Sequence, residues 1–241
     1  MTTIVSAFIS NVNNRHDMNL NKYFNNGILL LKSQVPKIIF VDLIMYEKIK
    51  EYENKLTKII LVDKNKYYLY NYINKINNFY VNNGNPNKDT LEYMITICHK
   101  TEWIKEAIDL NFFNTTNFTW IDFGIRYIFK CSDIEFIDKI NNIQFKKYDK
   151  IKIGNIWDLN SIYQDDLFTK VLWYFAGSVF GGNKDALLIF STKVKEKCIQ
   201  IIEEKNTITW EVNIWYFIYL ENKDLFDCYL CDHNDTLITN Y

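Results

Sequence analysis

The sequence predicts an α/β protein with a mostly parallel central sheet flanked by helices. Three observations carry this. Short apolar, β-branched runs alternate with helical spacing in a β-α-β-α-β order from the start of the chain, with short loops between them. The runs at residues 37–42, 57–63 and 117–122 each end in an aspartate, as buried strands do where they reach a polar edge. The chain has 241 residues, 48% of them hydrophobic and 17% aromatic, enough for one large domain, with or without a small annex.

Residues 2–9 read as a first strand, with 10–17 as the loop after it. Residues 19–32 carry Leu20, Tyr23, Phe24, Gly27, Ile28 and Leu31 at helical spacing, and Pro36 ends that unit. Residues 37–42 form a second strand, 43–54 a short helix and 57–63 a third strand. The clearest loop is Asn82-Asn83-Gly84-Asn85-Pro86-Asn87, with Asp89 the expected helix cap beyond it. Helical segments fill 90–110 and lead into the strand ending at Asp122; residues 150–155 are another strand. Three of the seven glycines fall within 177–182, and a long helix follows over 184–204. Asn206 or Thr207 caps a further helix carrying Trp210, Glu211, Ile214 and Phe217. The last strand, 226–231, runs into Asp232-His233-Asn234-Asp235.

Composition excludes several classes. Lys and Arg number 28 against 29 Asp and Glu, a net charge of -1 that gives no global electrostatic case for nucleic acid. Five cysteines are too few, and odd in number, for a disulfide framework. No basic region precedes the first apolar run, so no signal peptide is expected. The longest strongly apolar stretch, 212–220, contains Asn213 and is too short to span a bilayer. The expectation is a soluble cytoplasmic protein. Heavy use of Asn, Lys, Ile and Tyr reflects AT-rich coding DNA and points to an AT-rich microbe or a large DNA virus, where the cytoplasm would be the host's.

Four constellations bear on chemistry. Asp122 closes an apolar strand and is followed by Gly124. A carboxylate there either ligates a cation that holds a phosphate, with the glycine admitting a diphosphate, or caps the next loop through its own backbone. The run from Trp173 to Gly182 mixes aromatics with Ala176, Gly177, Gly181 and Gly182. In a glycine-poor chain this suits a wall against which a flat ring can lie, and no Gly-Lys-Ser/Thr closes it as a phosphate loop would. Glu211 lies in the first turn of a helix beside Trp210, where the helix dipole alone explains an acid. Cys228 and Cys231 read as packing residues: Asp232 rather than His follows the second cysteine, against a haem site, and no further ligands at motif spacing complete a zinc site. His233, just past the strand end in a polar run, can reach a cation, whereas His16 and His99 have no comparable setting.

Thr2-Thr3-Ile4-Val5-Ser6-Ala7-Phe8, Trp120-Ile121-Asp122-Phe123-Gly124-Ile125, Phe175-Ala176-Gly177-Ser178-Val179-Phe180-Gly181-Gly182, Thr209-Trp210-Glu211-Val212-Asn213 and Asp232-His233-Asn234, in this order, resemble the HtrL/YibB-like proteins, which belong with the GT-A-type glycosyltransferases. The resemblance implies one GT-A-like (Rossmann-like) domain over 1–241, its nucleotide-binding half about 1–125 and its acceptor-binding half about 126–241. It implies transfer of a hexosyl or N-acetylhexosaminyl group from a nucleotide-diphosphate-sugar, UDP-sugar first, to a glycan or other hydroxyl acceptor. Ser6, Ala7, Phe8 and Arg15 would hold the nucleotide and phosphates, Asp122 and Gly124 the diphosphate end, and Ala176, Gly177, Gly181 and Gly182 the donor sugar. Trp210 and Glu211 would meet the acceptor, with Glu211, and Asp185 behind it, as candidate bases. Asp122 and His233 would ligate Mn²⁺ or Mg²⁺. The family's Asp-x-Asp is reduced here to Trp120-Ile121-Asp122 or Asp122-Phe123-Gly124, one carboxylate missing in either alignment, with Asp232 or water to fill the vacancy.

Two rival readings follow from the residues. A sugar nucleotidyltransferase shares the sheet logic but wants a Gly-rich basic loop after the first strand. Residues 10–17 hold no glycine and only Arg15 as a permanent cation. A binding protein that has lost catalysis follows from the missing carboxylate.

Overall fold

In the computed structural model, which describes residues 1–12, 14–15, 19–81, 84–161 and 167–241, seven strands form one sheet. They are β1 (Thr2–Phe8), β2 (Lys37–Val41), β3 (Thr57–Leu61), β4 (Asn117–Ile121), β5 (Ile151–Asn155), β6 (Phe175–Asn183) and β7 (Phe226–Leu230). The order is β3-β2-β1-β4-β6-β5-β7. The first four in that order are parallel, β6 is antiparallel to both neighbours, and β7 is parallel to β5. The α/β class and the mostly parallel sheet expected from the sequence are therefore observed. His16, Asn82 and Asn83, and parts of the two loops expected around them, lie outside the described residues.

Helices cover both faces because the strands are apolar on both. Successive strand residues point to opposite sides. Thus Val5, Phe40, Trp120 and Phe180 join one core with α3 (Leu91–Cys98), α4 (Lys100–Leu110), α6 (Lys184–Lys205) and α7 (Glu211–Glu221). Ile4, Ile39, Ile121 and Val179 join the other with α1 (Leu20–Lys32), α2 (Leu43–Ile49), α5 (Asp133–Asn142) and α8 (Thr236–Thr239). Asn19, Asp42 and Asn183 cap α1, α2 and α6 by accepting from backbone N–H groups.

The helical segments expected at 90–110 are two helices meeting at His99, whose ring stacks on Tyr67 with centroids 4.1 Å apart. Two cap assignments are corrected. Thr90, not Asp89, caps α3; Asp89 instead accepts from the Asn85 amide (2.8 Å) and the Trp210 indole (3.2 Å). Asn206 ends α6 in the left-handed conformation (φ 53°) rather than starting α7, whose N-cap position is Trp210. The capping box of Ser132 and Glu135 that starts α5 was legible in the sequence but went unread.

The direction of β6 decides where the glycine-rich segment goes. Val179 lies beside Ile121, and Asn183 beside Asn117, so β6 enters at the carboxyl end of β4 and leaves at its amino end. Gly181 is then deep in the sheet, where a Cβ would meet the Tyr241 hydroxyl and, at 2.5 Å, the Phe118 carbonyl. We expect Gly181→Ala to lower stability by about 1–3 kcal/mol, the usual cost of overpacking a core. Denaturant unfolding checks this, and a wild-type midpoint would show that the sheet opens there freely.

Lys37, at the start of β2, is fully buried. Its ammonium donates to the Ser33 carbonyl at 2.7 Å and lies 3.5 Å from the Thr57 hydroxyl, with no carboxylate partner among the described residues. Burial lowers its pKa from 10.5 to about 8. Between those values the unfolded chain binds more protons than the folded one, so this group makes stability rise as pH climbs through that window. Lys37→Met should remove that rise, on the order of 3 kcal/mol across it. Parallel melting curves of the two proteins from neutral to alkaline pH measure it; an equal pH dependence contradicts it.

Candidate active site

The carboxyl ends of β1, β4, β5 and β7 all reach the edge of the sheet at which β6 begins. Open α/β sheets bind ligands outside this edge. A cavity of about 520 Å³ lies there, lined among others by Ala7, Phe8, Arg15, Asp122, Gly124, Trp210 and His233. Two loops form part of its rim and are tied together. The Thr90 hydroxyl donates to the Val12 carbonyl at 2.7 Å, and the Asn14 amide to the Asn87 carbonyl at 2.6 Å. These bonds bring Arg15 and Lys88 to the same opening.

The floor is built on Lys100, the first residue of α4 and only 6% exposed. Its Nζ lies 3.0 Å from Asp122 Oδ1 and 2.9 Å from Glu211 Oε1, and donates to the Gly177 carbonyl at 3.0 Å. Two of these contacts are hydrogen bonds, to Glu211 and Gly177, and the third is an ion pair with Asp122. Burial alone would lower the Lys100 pKa, but the charges of Asp122 and Glu211 outweigh it and raise the pKa, so the side chain is a permanent cation. Asp122 Oδ1 also accepts from the Trp120 indole at 2.7 Å, and the Asp122 amide donates to the Ser178 carbonyl at 3.0 Å. Trp120 stacks on Trp103, their planes 6° apart, and the ammonium sits 5.7 Å from the Trp120 ring centre.

Glu211 opens α7 and is buried, 6% exposed. A Cβ on residue 177 would meet its Oε1 at 2.5 Å, so a glycine is needed for the carboxylate to reach Lys100. Tyr93 also lines the cavity; burial raises its pKa, with Glu211 and Asp122 adding to the effect, so its phenol stays protonated. His233 follows β7 on the far wall, its ring edge-on to Trp173 with centroids 4.2 Å apart.

The structure thus brings Ala7, Phe8, Arg15, Asp122, Gly124, Gly177, Trp210, Glu211 and His233 to one cavity. Ser6 is buried inside β1 and Ala176 within the opposite core, and neither lines it. Gly181 and Gly182 lie two and three residues beyond Val179, about 7–10 Å along the strand. Asp185 is exposed on the first turn of α6, at the opposite edge of the sheet from Glu211, because β6 runs antiparallel.

Lys100 is the residue that sequence reading missed. The signal was present: Lys100, Trp103, Ile104, Ala107 and Ile108 form one helical stripe, so the lysine occupies a core-facing position.

Asp122 and His233, the pair expected to ligate a cation, share the cavity. The donor set of the described residues does not fit a resident dication. No group of three or more His, Cys, Asp or Glu able to hold a metal occurs among the described residues. Asp122 Oδ1 is already taken by an ammonium and an indole N–H.

Burial lowers the His233 pKa below 6.5, Asp232 opposes this, and Lys88 adds to it. His233 should therefore protonate at lower pH than a free histidine, and below that free value the folded state loses stability as pH falls. Histidine ring signals followed by NMR, assigned with His233→Gln, give the midpoint; one at or above 6.5 contradicts the burial argument.

The model of the family described as "Bacterial protein of unknown function (HtrL_YibB)" matches residues 1–238. No curated protein matches the chain. The chain is similar to the solved structure of mouse xyloside xylosyltransferase 1 in its apo form, at 13% identity, 95% of this chain, 85% of that chain and a TM-score of 0.49. A glycosyltransferase involved in glycosylation of the major capsid of PBCV-1 matches at 12% identity, 95% and 81% coverage and a TM-score of 0.44. The 4-diphosphocytidyl-2C-methyl-D-erythritol synthase of Anaerococcus prevotii matches at 9% identity, 96% and 86% coverage and a TM-score of 0.44. Likeness at this level does not carry activity or substrate from one chain to another.

Proposed function

The chain belongs to the HtrL_YibB family, and we propose that it is a glycosyltransferase that moves a sugar from a nucleotide-diphosphate donor, a UDP-sugar first, to an acceptor hydroxyl. One observation carries the reading. A single cavity at the ligand-binding edge of the sheet has cations at its rim, Arg15 and Lys88, and a buried carboxylate, Glu211, beside aromatic side chains. Cations suit a diphosphate, aromatic faces suit sugar rings, and a carboxylate accepts from hydroxyls.

The nucleotide lies against the end of β1, at Ala7 and Phe8, with its diphosphate toward Arg15 and Lys88. The sugar sits near Gly177, where a side chain would intrude. In the transfer the bond from the anomeric carbon to the diphosphate oxygen breaks, with its electron pair leaving on the diphosphate. A bond from that carbon to the acceptor oxygen forms, and the acceptor proton passes to a base. Glu211 is the base proposed for an inverting reaction. Lys100 fixes its Oε1, and Oε2 takes no hydrogen bond from a described residue. In a retaining reaction Glu211 orients the acceptor instead. Burial among Trp210, Trp173 and Tyr93 limits water, the competing acceptor.

Incubation with a panel of nucleotide sugars and glycan acceptors, following nucleoside diphosphate release, tests the reading. Release or transfer is expected with at least one donor. Glu211→Gln should cut the rate by about 10²- to 10⁴-fold, the range for loss of a general base. Neither hydrolysis nor transfer across the panel would overturn the assignment in favour of a non-catalytic binding protein.

A further inference from the structure

We infer that this chain binds the nucleoside diphosphate part of its donor without a divalent cation, with the Lys100 ammonium as the resident positive charge. The inference rests on the nucleotide-sugar reading above. A dication bound to a carboxylate needs a free oxygen lone pair and a surrounding without a competing cation. Asp122 Oδ1 accepts a hydrogen bond from Trp120 at 2.7 Å and lies 3.0 Å from the Lys100 ammonium, which leaves Oδ2 as the oxygen an ion would use. Any ion held by that carboxylate would stand within a few ångströms of the ammonium. Lys100 is 6% exposed, so water and salt screen that repulsion weakly.

Trp120 sharpens the argument. It occupies the position two residues before Asp122, where a paired acid would supply a second metal ligand, and it offers an N–H donor instead. Both neighbours of Asp122 therefore treat it as an acceptor. Among the described residues lining the cavity, Arg15, Lys88 and Lys100 are cationic and Asp122 and Glu211 anionic. A diphosphate entering this site meets cations that the chain itself provides.

Of the three oxygens that Lys100 contacts, the Gly177 carbonyl at 3.0 Å is the only neutral one. A phosphate oxygen makes a stronger, charge-assisted hydrogen bond and displaces it. Lys100 then keeps its two carboxylates in place while contacting the leaving group. As the anomeric bond breaks and charge builds on the diphosphate, the ammonium stabilises that charge from a fixed position.

Calorimetric titration of the full chain with UDP, GDP and ADP, in excess EDTA and in excess Mn²⁺, tests this. At least one nucleotide should bind in EDTA with a Kd within about threefold of its Mn²⁺ value. Lys100→Met should weaken that binding by about tenfold or more in both buffers, the scale of a charge-assisted hydrogen bond. Lys100→Met leaves two carboxylates uncompensated and can fail to fold. Lys100→Met combined with Glu211→Gln removes one charge of each sign, and is compared with Glu211→Gln alone. Binding that needs Mn²⁺, or a folded Lys100 variant that binds as well as its reference, overturns the inference and leaves the glycosyltransferase reading standing. Failure of all three nucleotides in both buffers, with no turnover of the sugar panel, removes that reading and this inference with it.

Discussion

One buried ammonium holds the working edge of this protein together. Lys100 comes from α4, Asp122 from the end of β4, Gly177 from β6 and Glu211 from α7, four segments far apart in the chain. Each contact requires the others. The buried Glu211 and half-buried Asp122 carboxylates would repel one another, and Glu211 would be costly to desolvate alone. Removing one partner of such a group leaves an uncompensated buried charge, at a cost of about 3–5 kcal/mol. The lysine therefore fixes where α7 starts relative to the sheet, and the helix dipole at that start adds to the stability of the Glu211 anion. The stacked Trp103 and Trp120 beside it hold the lysine's helix against β4.

The antiparallel β6 sets a second constraint. A single short segment supplies three glycines with different reasons to be glycine. Gly177 makes room for the Glu211 carboxylate, Gly181 for Tyr241 and the Phe118 carbonyl, and Gly182 for the Lys150 carbonyl at 2.6 Å. Only the first lies at the cavity. The other two let strands and the Tyr241 side chain approach closely on the far side. Tyr241 lies there with its hydroxyl 2.8 Å from that of Thr119. A cluster of glycines in sequence is therefore not a cluster in function once a strand carries them away from the edge.

The same geometry explains what could be read in advance. Apolar runs placed six of the seven strands to within a residue or two, because burial on both faces leaves an unmistakable pattern; β6, whose small and aromatic residues read as a ligand wall, is the exception. Three of those runs were closed by aspartate, and their fates diverge. Asp42 caps α2 and accepts from the Ser10 backbone at 2.7 Å. Asp63 accepts from the Asn65 amide in a short turn. Only Asp122 faces the cavity, because β4 is central and its neighbour β6 turns back there. Strand position and direction are long-range properties that local pattern does not contain. The placement of Asp185 and the two distal glycines depended on that missing direction. Lys100 failed to register for a different reason: a lysine is presumed solvated, and its place in an apolar stripe went uncounted.

The departure of this sequence from a paired-acid motif and the presence of a buried lysine are two sides of one electrostatic arrangement. Asp122 and Glu211 around Lys100 already sum to one excess negative charge on the floor. A third carboxylate at position 120 would add another in a poorly screened place, which a bound dication would have to offset. Trp120 avoids the problem: its indole N–H strengthens the hold on Asp122, and its ring face attracts the ammonium 5.7 Å away. The floor thus carries no third carboxylate and is closed by aromatic surface, while Arg15 and Lys88 stand at the rim. On the nucleotide-sugar reading proposed above, the donor's negative charge would lie at the rim and hydroxyl groups would face Glu211.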